Sequence, residues 1–82
     1  MEGAIMTETT WWVLKRGQQY VMGVETNPNS QMKGCLMMSP DFWEAAVWKS
    51  RADARGARRD YIRKHLRKGV KPIKIVVREY DD

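Results

Sequence analysis

The chain has 82 residues and a formal net charge of +5, with 43% hydrophobic and 30% charged side chains and one cysteine. That length suits a single domain with a small core, and the balance of apolar and charged residues excludes a disordered chain. The lone Cys35 excludes an intrachain disulfide, and no apolar run approaches the roughly 18 residues of a membrane span.

The opening, M-E-G-A-I-M-T-E-T-T, lacks the basic start and long apolar stretch of a signal peptide, so a cytoplasmic protein is expected. Residues 1–8 read as a flexible N-terminal tail, 9–80 as one α+β domain and 81–82 as an acidic tail. The β-branched and aromatic run 10–16 predicts a strand, Gly17 and Gln18 a tight turn, and 19–25 the returning strand of a hairpin. The stretch T-N-P-N-S-Q-M-K-G is rich in turn formers and predicts a loop, with a short third strand over 34–38. Ser39, Pro40 and Asp41 suit a helix start, which predicts a short helix over 40–48 with Trp43 and Val47 on one face. Ser50, with Asp53 three residues on, caps a second helix expected to run to about Lys68 and to stop at Gly69. Ala54, Ala57, Tyr61 and His65 form its inward stripe, with Ile62 and Leu66 at the margin. The last strand is expected over 72–79, with Ile73, Ile75 and Val77 on one face. The order β-β-β-α-α-β points to a small, mainly antiparallel sheet with one long basic helix packed on one face.

Arginine stands at positions 51, 55, 59, 63 and 67. Each four-residue step advances a helix by about 400°, so the five form a slowly winding ribbon about 24 Å long. Like charges at that spacing cost about 0.2–0.5 kcal/mol per pair. One reading is a solvated face, with Glu44, Glu79, Asp81 and Asp82 folding over it. The other is an anion-binding face, which the preference for Arg over Lys favours because the guanidinium fork matches phosphate and carboxylate. The candidate partner- or phosphate-binding residues are Arg51, Arg55, Arg59, Arg63, Lys64, Arg67 and Lys68. Adjacent Trp11 and Trp12 must point to opposite faces of their strand, so one joins the core and the other is a candidate contact.

No histidine stands beside a plausible nucleophile and no paired-carboxylate pattern appears, so no catalytic residues are expected. His65 has no second histidine with which to hold a metal, and the glycine turns lack phosphate-loop spacing, so neither metal nor cofactor is expected.

The segment A-A-V-W-K-S-R-A-D-A, the basic helix after it, Gly69 and P-I-K-I-V-V-R resemble small phage and prophage accessory proteins. Trp48, Ser50, Asp53, Ala54, Ile73, Ile75 and Val76 carry the resemblance. It implies a protein encoded by a mobile element and acting inside the host cell, and many proteins of that class inhibit a host machine by binding it, as anti-CRISPR proteins do. The expected function is therefore a non-catalytic inhibitor or accessory protein that docks on a host protein or protein–nucleic-acid complex. A stand-alone nucleic-acid-binding module and a phage structural or assembly protein are the alternatives, with a homodimer allowed and no membrane partner.

Overall fold

In the computed structural model, which describes residues 4–81, β1 (Ala4–Arg16) turns through Gly17 and Gln18 into β2 (Gln19–Val24). Gly17 takes φ 58°, the left-handed conformation that a two-residue hairpin turn needs at its first central position. β3 (Leu36–Ser39) follows the polar loop, and a 3₁₀ turn at Phe42–Glu44 leads to α1 (Arg51–Tyr61). A second 3₁₀ turn at Lys64–Leu66 leads to β4 (Lys71–Asp81). The four strands form one antiparallel sheet in the order β3-β2-β1-β4, so the last strand closes on the first and forms an edge.

The α+β architecture and the hairpin agree with the sequence reading, while several boundaries do not. Residues 4–8, expected as a flexible tail, extend β1 and pair with the C-terminal end of β4; Thr7 lies opposite Glu79 and Glu8 opposite Arg78. Residues 1–3 and 82 of the two expected tails lie outside the described residues. The expected helix over 40–48 shrinks to the 3₁₀ turn, because the segment after it is captured by strand edges. Trp12 and Trp48 exchange both backbone hydrogen bonds at 2.8 Å, and the Ala46 amide donates to the Val21 carbonyl at 2.9 Å. β1 and β2 splay apart beyond their turn, and this strand-like segment fills the wedge between them. A helix there would leave those edge groups unpaired.

The wedge also carries the chain through the sheet. Before it, Phe42 and Trp43 lie over Trp11, Val13 and Ile75. After it, Trp48, like Trp12, packs against the buried core on the face covered by α1. Leu14, Val21, Ala54, Ile62 and Val70 form the buried core on that face. A bulge between Val21 and Gly23 shifts the register, which lets Val21 and Val24 both meet the core although they stand three residues apart.

α1 begins as expected, with the Ser50 hydroxyl accepting from the Asp53 amide at 3.0 Å. It ends seven residues before Lys68, since Ile62 takes extended backbone, ψ 132°, and drives its side chain into the core. Tyr61 and His65 are consequently exposed rather than inward, and Gly69, φ 79°, shapes the turn into β4 instead of capping the helix.

Gly34 is buried with φ 81°, and a Cβ there would lie 2.7 Å from Arg63 Cγ and 3.2 Å from the Tyr61 carbonyl oxygen. Gly34→Ala is expected to cost well over the 1 kcal/mol or so of left-handed strain alone, whereas Gly17→Ala, with open space around it, costs about that strain. Urea denaturation of both variants checks the order.

Candidate functional site

The arginines do not form one ribbon. Only Arg51, Arg55 and Arg59 of the five lie on α1; Arg63 and Arg67 fall beyond its end. Arg63 donates from Nε to the Lys33 carbonyl and from a terminal nitrogen to the Gln31 carbonyl, both at 2.6 Å, which pins the polar loop. Arg67 donates to the Ile62 carbonyl at 2.8 Å and to the Arg59 carbonyl, so it closes the helix end. Arg58, outside the four-residue series, donates to the Val70 carbonyl at 2.8 Å and the Arg67 carbonyl at 3.0 Å, which fixes the entry into β4. A helix leaves its last carbonyls without intrahelical partners, and here the Arg67 guanidinium supplies a donor to that of Arg59 and to the C-cap Ile62.

Arg59 donates to both Asp60 carboxylate oxygens, at 2.8 and 3.2 Å, on the exposed face. Hydrogen bonding from Arg59 is the main reason that the Asp60 carboxyl sits below its ordinary range; desolvation opposes the shift, and the charges of Arg59 and Arg67 reinforce it. A lowered carboxyl keeps its partner above the ordinary carboxylate range of about pH 4 and loses it as the pH falls through the lowered value. The pair is therefore intact at neutral pH.

What remains is a groove of about 430 Å³ between α1 and the start of β4, lined by Arg51, Arg55, Arg58, Arg59, Val70, Lys71 and Pro72. No carboxylate lines it. The two ion pairs among the described residues, Arg59–Asp60 and Arg78–Glu8, leave Arg51, Arg55 and Lys71 without an acidic partner. Arg51 opens the helix, where a cation opposes the macrodipole by about 0.3–1 kcal/mol, and Arg55 stands one turn on. Positive side chains and the positive helix end thus face the same space, and an anion there relieves both.

Of the residues singled out in the sequence, Arg51, Arg55 and Arg59 reach this groove. Arg63 and Arg67 serve the fold, and Lys64 and Lys68 are exposed outside the groove lining. Arg58 and Lys71 were missed, because the contact between helix and edge strand joins residues with no common periodicity. Trp12 packs against the core, while Trp11 is half-buried on the opposite face. Glu79, once a candidate to cover the arginines, stands eight residues along β4 from Lys71, about 27 Å away.

Among the described residues, no three His, Cys, Asp or Glu side chains cluster to hold a metal ion, and no helix is long and apolar enough to cross a membrane. No family model, curated protein or solved structure matches the chain.

Arg58→Ala and Arg67→Ala are each expected to lower stability by about 2 kcal/mol, the value of hydrogen bonds to a charged group. Arg51→Ala and Arg55→Ala should stay within about 0.5 kcal/mol of the parent. Chemical denaturation of the four variants separates the arginines that hold the fold from those that do not.

Proposed function

We propose that the chain is a non-catalytic binding protein that seats an anionic partner in the groove between α1 and the start of β4. The observation that carries this reading is the convergence of Arg51, Arg55 and Lys71, none with an acidic partner among the described residues, on a groove whose described lining holds no carboxylate. Forked guanidinium donors one helical turn apart suit the paired oxygens of carboxylates and phosphates. The resemblance to phage accessory proteins supplies the setting: an inhibitor that occupies an anionic surface of a host complex.

A partner made only of single-stranded nucleic acid is less well served. Such binding relies on aromatic platforms for the bases, and no aromatic residue lines the groove. Contact with duplex phosphates remains the second reading, since it needs only the cations.

Binding of the full chain to an acidic peptide, duplex DNA, single-stranded DNA and RNA across a salt series tests the reading. An anionic ligand that binds, weakens with salt and is lost on Arg51→Glu with Arg55→Glu supports it. Equal affinity of that double variant and the parent for every ligand contradicts it. Asp60→Asn frees Arg59 from its carboxylate and should tighten binding several-fold. Reversing Arg63 and Arg67 is unsuitable as a control, because their side chains hold backbone carbonyls.

A further inference from the structure

The sheet face opposite α1 has an apolar centre that the 42–47 segment covers only in part: Val13 is buried, Trp11 and Ile75 are half-buried, and Val77 is exposed. Cross-strand neighbours Trp11 and Ile75, Val13 and Ile73, and Thr9 and Val77 share this face. Phe42, Trp43 and Val47 stand beside them around a groove of about 120 Å³, and every side chain lining that groove is apolar. Trp43 is 72% exposed, Val47 51% and Phe42 49%, with Phe42 and Trp43 meeting edge to face at 5.3 Å between centroids. Scattered surface apolar groups are ordinary, but a contiguous apolar groove rimmed by exposed aromatics marks an interface. Among the residues whose burial is described, the core holds seven hydrophobic residues, Val13, Leu14, Val21, Ala54, Ala57, Ile62 and Val70, which is little for a chain folding alone.

Charge along this face selects the occupant. Lys15 and Lys71 are direct neighbours at one end, and Glu79 lies opposite Thr7 at the other. Lys71 and Glu79 stand four residues either side of Ile75 on β4, so their charges are placed symmetrically and with opposite sign about the apolar centre. A two-fold axis through Ile75, perpendicular to the strand, lays each basic end on the partner's acidic end and each apolar centre on its twin. Two antiparallel sheets pack face to face in this way at about 30°, and such an isologous contact is the commonest route to a dimer.

We propose that this face is the interface of a symmetric homodimer, with Trp43, Val47, Ile75 and Val77 at its centre and Lys71–Glu79 ion pairs between copies at both ends. The dimer leaves α1 with Arg51 and Arg55 on the outside, while Lys71, which borders both the groove and this face, turns to the partner copy's acidic end.

Sedimentation equilibrium from about 1 µM to 1 mM tests it. The expected result is a reversible monomer–dimer equilibrium weakened by salt. Trp43→Ser and Val77→Lys should each raise the dissociation constant more than about tenfold with an unchanged far-UV spectrum. Lys71→Glu and Glu79→Lys should each weaken association, and their combination should restore it, because the exchanged charges meet again across the two-fold. That rescue reads the interface even if an apolar variant folds poorly. A chain monomeric at every concentration overturns the proposal, as does a dimer indifferent to Trp43→Ser and Val77→Lys, or a double charge variant weaker than either single one.

Discussion

Six backbone carbonyls end on three guanidinium groups, and the helical side of the molecule depends on that arrangement. Arg63 takes Gln31 and Lys33, Arg67 takes Arg59 and Ile62, and Arg58 takes Arg67 and Val70. Each fork joins two stretches that no secondary structure unites. The helix stops at Tyr61, with the Arg67 guanidinium from beyond its end donating to the Arg59 and Ile62 carbonyls. Ile62 is then free to turn inward, and Val70 is held where β4 must start. The basic groove inherits its shape from the same contacts, since it lies between α1 and the segment that Arg58 anchors.

The charge repulsion implied by arginine at every fourth residue is resolved by ending the helix. Continued to Lys68, α1 would carry all five like charges along one winding line. Ending it at Tyr61 leaves three of them on the helix, one already paired with Asp60. The remaining positive charge gathers at the opening turns of α1, where the helix dipole also favours an anion. The sheet side follows a separate constraint, in which β1 and β2 part and the backbone of Ala46 to Trp48 satisfies the exposed edges. That insertion sends Trp48 to the core and leaves Trp43 and Val47 on the open face.

Local chemistry made much of this legible. Gly17 marked the hairpin turn, Ser50 and Asp53 the start of α1, Ala54 and Ala57 its inward face, and the alternation of Ile73, Ile75 and Val77 the last strand. The end of α1 was not legible, because Arg63 meets Lys33 across 30 residues of sequence and periodicity records no such contact. The helix expected after Pro40 failed for a similar reason, since helix-start residues were outweighed by unpaired strand edges elsewhere in the chain. At the candidate site, Arg51 and Arg55 were visible as exposed cations, whereas Lys71 joined them only through the pairing of β4 with β1.

The division of labour among the arginines can be read directly from their side-chain Nε–H protons. Hydrogen exchange at those positions, followed by NMR on the full chain, reports which guanidinium groups are held and which are free. Slow exchange with dispersed shifts at Arg58, Arg63 and Arg67, beside fast exchange at Arg51 and Arg55, is the expected result. Uniformly fast exchange at all five would contradict the account, because the carbonyl contacts that end α1 and shape the groove would then be absent.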